Sequence, residues 1–256
     1  MDTLIHKSDN CRFATNIDAA TDDIIAKRAV RELKQQKRAT DYKSDKRGQT
    51  MRFDSPVYII GRGVSAGSKE GKGPLSKYLP NKSQDDKMGE KSFERAEIKM
   101  LGSAVAEAIK NSAKQGGEID LLLGGDLLNQ ITSSSFVARD LGIPFIGLYS
   151  ACSTMTSSLA LAASLIDGGH YDTIACATSS HFATAERQYR YPLEYGCQRP
   201  PYAQWTVTGA ACSVLSSRGE GPRITMATLG RVMDFGTDDL NNMGAAMAPV
   251  NAIIAP

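Results

Sequence analysis

Two kinds of apolar pattern alternate along the chain: short continuous runs, and longer stretches with apolar residues three and four apart. Their order predicts a layered α/β protein. Residues 56–60 read as a strand closed by Gly61-Arg62-Gly63. Phe93, Ala96, Met100, Leu101, Ala104, Ala108 and Ile109 share one helical face, so residues 92–113 predict a helix that Gly116-Gly117 stops. Residues 119–123 form a continuous apolar strand, which with that helix makes a crossover unit of a parallel sheet. A short helix with a serine-rich start follows at 133–141, then a buried strand at 143–149. Met155, Leu159, Ala162, Ala163 and Ile166 predict a helix over 153–166, ended by Asp167-Gly168-Gly169. Residues 173–177 are the next strand and run into Thr178-Ser179-Ser180-His181. Residues 206–216 and 224–232 are apolar and β-branched enough for two more. Between these last elements, residues 182–204 are rich in Tyr, Arg and Pro, and a loop of that length in a compact domain tends to be functional or to cover an interface.

In an open α/β sheet, ligands bind outside the carboxyl ends of the strands. Three predicted strand ends carry polar residues: Asp126, followed by Leu127-Leu128-Asn129-Gln130; Cys152; and the Ser179-Ser180-His181 group. Converging in space, they would form one pocket. At Ser150-Ala151-Cys152 a strand turns into a helix, and unpaired N–H groups of a first helical turn favour anions and lower a thiol pKa. The alternative is a small buried hydrophobe, because free cysteine is among the most buried residue types. His181 is likewise either a pocket residue or a hydrogen-bonded structural histidine. A Cys/His nucleophilic pair is the natural enzyme reading, but a carboxylate such as Asp126 near the thiol would weaken the thiolate.

Composition narrows the classes. The 256 residues carry a net charge of +2, which offers no whole-chain argument for nucleic acid. The excess is local: residues 1–50 hold 11 basic and 8 acidic side chains and read as a basic, poorly ordered extension before a body at 51–256. Five cysteines at irregular spacing, without C-x-x-C, argue against a disulfide framework and a zinc site. No apolar window approaches the roughly 18 residues of a membrane span, and the first ten residues lack the order of a signal peptide. Gly61, Gly63 and Gly67 miss the dinucleotide spacing by one residue, and no G-x-S-x-G, H-E-x-x-H or EF-hand loop is present.

Particular runs then carry a resemblance. Lys69-Glu70-Gly71-Lys72-Gly73-Pro74-Leu75, Gly125-Asp126-Leu127-Leu128-Asn129-Gln130, Ala151-Cys152-Ser153-Thr154, Ala177-Thr178-Ser179-Ser180-His181, Ala183-Thr184-Ala185-Glu186-Arg187-Gln188, Arg190-Tyr191-Pro192-Leu193-Glu194-Tyr195-Gly196, Thr206-Val207-Thr208-Gly209 and Asn242-Met243-Gly244-Ala245-Ala246-Met247-Ala248-Pro249 together resemble the stage V sporulation protein AD family, within the thiolase and ketoacyl synthase superfamily. The resemblance implies a thiolase-like layered α/β/α fold, of which this chain holds the N-terminal half and part of the linker region. It also implies a non-catalytic role: binding dipicolinic acid, with calcium as a possible companion of the ligand, for uptake into the developing spore. The site it implies comprises Cys152, Asp126, His181, Asn129 and Ser180, with no resident cofactor or metal of the protein itself. It implies peripheral attachment at the forespore or spore inner membrane beside other stage V sporulation membrane proteins, with a homodimer as one possible assembly. Because the family continues past Pro256, the second thiolase half is expected to be missing, and with it a complete catalytic set. An acyl-transferring enzyme with Cys152 as nucleophile, or a fragment without function, are the alternatives.

Overall fold

The structure, a computed structural model, describes residues 49–186, 189 and 206–230. The expected basic extension lies almost wholly outside the described residues, as do most of the loop at 182–204 and the small-residue run at 242–249. The compact unit Thr50–Thr228 is built on a six-stranded sheet. Its strands are β2 (Tyr58–Ala66), β3 (Asn81–Lys82), β4 (Leu121–Gly125), β5 (Phe145–Gly147), β6 (Thr173–Ser180) and β7 (Gly209–Ser216), in the spatial order β3-β2-β7-β6-β4-β5. β4, β5 and β6 run parallel, whereas β7 is antiparallel to both β6 and β2. The short strands β1 (Thr50–Arg52) and β8 (Met226–Thr228) pair separately as an antiparallel ribbon.

Helices cover both faces. α1 (Phe93–Asn111) and α2 (Thr132–Leu141) pack on one side, where Met100, Leu101, Ala104 and Val137 meet Leu122, Ala175, Ala177 and Val214. α3 (Thr154–Asp167) packs on the other, where Ala162, Ala163 and Ile166 meet Leu121, Leu123, Ile174 and Leu215. The alternation Leu121, Leu122, Leu123 therefore sends successive side chains into two different cores, which is why this strand reads as a continuous apolar run. Burying each such leucine contributes roughly 1.5–3 kcal/mol. The helix start expected at Ser92 is present: the Arg95 N–H donates to Ser92 Oγ at 3.3 Å, satisfying one orphan donor of the first turn.

Two expectations are corrected. Gly61 and Gly63 do not close a strand; they lie in the middle of β2 and face α1. A Cβ at Gly61 would stand 2.3 Å from the Ala108 carbonyl oxygen, and one at Gly63 2.1 Å from that of Ala104. The glycines and the alanines together let the backbones of strand and helix touch, a contact no local pattern announces. The strand expected to be buried at 143–149 shrinks to the three residues of β5 at the sheet edge, with Ile146 42% exposed. Its apolar run is spent on one neighbour only, because β4 flanks it on a single side.

Candidate functional site

Strand register brings all the polar strand ends to one edge of the sheet. Gly125 pairs with Thr178, Gly124 with Gly147, Ser180 with Gly209 and Ala66 with Gly209. The carboxyl ends of β2, β4, β5 and β6 thus lie together with the start of β7. Along this edge two neighbourhoods differ in kind.

The first is buried and centred on Glu97, which sequence reasoning did not single out. Glu97 is fully buried, and its carboxyl accepts from Ser179 Oγ at 2.9 Å and from Thr184 Oγ1 at 2.5 Å. Burial raises its pKa from 4.5 to about 7; the nearby Asp126 and Glu94 charges push the same way, while the two hydroxyl donors pull it down. Its signal was present in the sequence: position 97 stands four residues from both Phe93 and Leu101, on the very face that packs on the sheet. His181 closes the neighbourhood. The Ala183 N–H donates to its Nδ1 at 3.1 Å, which places the ring hydrogen on Nε2, 2.8 Å from the Asp86 carbonyl oxygen. The imidazole stacks on Phe182 with centroids 5.1 Å apart and contacts Phe93 at 5.2 Å. Both nitrogens are committed to the backbone, so in this geometry His181 holds the end of β6 against the loop bearing Asp86.

Asp126 is equally engaged. Its Oδ1 accepts the Leu128 N–H at 2.9 Å, and its Oδ2 accepts the N–H and hydroxyl of Ser134 at 2.8 and 2.7 Å. Burial raises its pKa, with the Ser134 and Leu128 bonds opposing. The carboxylate braces the turn from β4 into α2. That turn is strained: Gln130 and Ile131 both adopt left-handed conformations, with φ of 56° and 49°, on the order of 1 kcal/mol each for non-glycine residues. Asn129 is exposed at its start, and Ser180 Oγ donates to the Val207 carbonyl oxygen at 2.6 Å.

The second neighbourhood is open. Cys152 is a free, exposed thiol in a single 3₁₀ turn, Ala151–Ser153, that leads directly into α3. Ala151 has φ of 45°, a further non-glycine residue in the left-handed region. The hydroxyls of Ser153 and Thr154 donate backwards to the carbonyl oxygens of Ser150 and Ala151, each at 2.8 Å, so no side chain caps the first N–H groups of α3. Tyr149, three residues before the thiol, is 75% exposed. Among the described residues no imidazole or carboxylate hydrogen-bonds the Cys152 thiol. The structure thus brings the five expected residues to one sheet edge, yet leaves Cys152 and Asn129 exposed while Asp126, His181 and Ser180 hold backbone in place.

Comparison with known proteins matches residues 47–255 to the family model of stage V sporulation protein AD (SpoVAD). The curated stage V sporulation protein AD of Bacillus subtilis (strain 168) is 44% identical over 204 residues, covering 80% of this chain and 60% of that protein. The chain belongs to the stage V sporulation protein AD family. It spans about 60% of the length of the curated relative. Solved structures overlap more loosely: 3-oxoacyl-[acyl-carrier-protein] synthase III from Aquifex aeolicus VF5 at 18% identity and TM-score 0.42, over 64% of this chain and 54% of that one. A variant of Xanthomonas campestris OleA with bound lauric acid and lauroyl-CoA overlaps at 12% identity and TM-score 0.43, over 64% and 57%.

Proposed function

We propose that this chain is a non-catalytic binding component for dipicolinic acid, a pyridine flanked by two carboxylates, acting in its uptake into the developing spore. The observation that carries the reading is the open corner at Cys152: an exposed thiol at the amino end of α3, which no side chain caps, with no imidazole or carboxylate hydrogen-bonded to the thiol among the described residues. The positive end of the α3 dipole suits a ligand carboxylate, the exposed Asn129 amide offers a donor, and the exposed ring of Tyr149 suits a planar aromatic. Asp126 and His181 act here by holding the two flanking turns. Calcium has its place in this reading as a companion of the ligand. Membership of a sporulation family supports a place at the inner membrane of the forming spore, attached peripherally beside stage V membrane proteins, as a monomer or a homodimer; no helix among the described residues is long and apolar enough to cross a membrane.

Calorimetric titration of the purified protein with dipicolinate, with and without calcium, tests this. Binding that weakens at least about tenfold in Cys152→Ala and in Asp126→Ala supports the site; a tenfold loss corresponds to about 1.4 kcal/mol. A folded, soluble sample that binds nothing, or variants that bind as the parent does, overturns it. The exposed thiol also favours a second reading, acyl transfer with Cys152 as nucleophile. Incubation with acyl-CoA and intact-mass measurement would then show an acyl adduct that Cys152→Ala lacks, and an unmodified parent protein removes this reading.

A further inference from the structure

The loop between β2 and β3 has no part in the site above. It is held firmly at its base: the Gly67 N–H donates to the Thr208 carbonyl oxygen at 2.7 Å, the Thr208 N–H donates to Glu70 Oε1 at 3.0 Å, and the Ser83 N–H donates to the Ala66 carbonyl oxygen at 2.9 Å. It is braced internally as well, by two 3₁₀ turns, Glu70–Lys72 and Ser76–Tyr78, by Ser76 Oγ donating to the Gly71 carbonyl oxygen, and by Lys82 Nζ donating to the Ser76 carbonyl oxygen at 3.1 Å. A loop so constrained could tuck its apolar side chains inward. Instead Leu75 is 65% exposed and Tyr78 67% exposed.

Basic side chains outnumber acidic ones along this stretch. Residues 70–82 contain Lys72, Lys77 and Lys82 against the single acid Glu70. Glu70 is turned inward, with Oε1 on the Thr208 amide and Oε2 buried. Lys77 Nζ lies 4.8 Å from the centroid of the Tyr78 ring, so cation and aromatic face outward together. We infer that this loop is a contact for an anionic lipid surface, with Leu75 and Tyr78 entering the headgroup layer and Lys72 and Lys77 meeting lipid phosphates. Two apolar tips are too little for a stable protein interface, which needs about 800 Å² on each partner. They suffice for shallow insertion when each lysine adds its attraction to an anionic leaflet. Tyrosine is also a side chain that settles at the headgroup level. The inference rests on the peripheral attachment proposed above and is independent of the ligand proposed for the Cys152 corner.

Co-sedimentation of the 256-residue chain with vesicles, without dipicolinate, tests it. Vesicles of phosphatidylcholine with one third phosphatidylglycerol should bind the protein, pure phosphatidylcholine vesicles should not, and about 0.5 M salt should release it. Both Leu75→Ser/Tyr78→Ser and Lys72→Glu/Lys77→Glu should lower the vesicle partition coefficient by at least about tenfold while leaving the thermal transition in place, since all four side chains are exposed. Parent protein that ignores anionic vesicles, equal binding to both vesicle types, or variants that sediment like the parent each overturn the inference; the last outcome would assign lipid attachment to another part of the chain.

Discussion

The Glu97 neighbourhood and the Cys152 corner stand on the same edge of one sheet, and they spend their polar groups in opposite ways. Around Glu97 the hydroxyls of Ser179 and Thr184 and both nitrogens of His181 are buried and committed to partners within the fold. At Cys152 the thiol is exposed, no side chain caps the helix start and the backbone is strained. Histidine and aspartate, the residue types that look most like chemistry in a sequence, are here the ones that hold structure. What faces solvent, and so remains free for recognition, is a cysteine, an asparagine amide and a tyrosine ring.

Substitutions can break that contrast. The largest effect is expected from His181→Ala, which empties a packed aromatic site and leaves the Ala183 N–H and the Asp86 carbonyl without their partner. Urea unfolding should show a loss of about 4 kcal/mol, and a loss under about 1 kcal/mol would mean that His181 is not a brace. Next is the proton on Glu97. The folded protein keeps it up to about pH 7, whereas an exposed glutamate releases it near 4.5. The folded state therefore binds the extra proton between those values, so this group's contribution is most favourable below about pH 4.5 and falls as pH rises toward 7, by roughly 3 kcal/mol in all. Glu97→Gln has no such proton, and its stability relative to the parent should rise by up to that amount between about pH 4.5 and 8; parallel pH profiles for the two proteins would remove the buried-carboxyl account.

The smallest effect belongs to the open corner. Cys152→Ser should change stability by no more than about 0.5 kcal/mol. In the parent, iodoacetamide followed by peptide mass mapping should label Cys152 in the native state and spare Cys176 and Cys212. Burial pushes the Cys176 thiol up to about 12, with the Ser158 bond opposing, and burial likewise raises that of Cys212. Native labelling of Cys176 at a rate near that of Cys152 would show that the two regions do not differ in access as described.

The α1 helix and the three neighbouring leucines of β4 were legible because hydrophobic period is a local property, set by 3.6 residues per turn or by a run buried on both faces. The corner at Cys152 was legible for the same reason, as a change of period at a point of small residues. The exposure of β5 was not, because an apolar run carries no record of how many strands flank it. Nor was the role of Gly61 and Gly63: a glycine pair reads as a turn until Ala104 and Ala108, far along the chain, require a surface without a Cβ.

By itself the sequence determined the order of helices and strands, the family, and which polar residues stand at strand ends. Only the tertiary structure decided which of those residues are spent on the fold. Glu97 meets Ser179 across 82 positions and His181 meets Asp86 across 95. A hydrogen bond between such distant residues depends on how helix and loop settle on the finished sheet, and that settling is what leaves the Cys152 thiol exposed while His181 and Asp126 are enclosed.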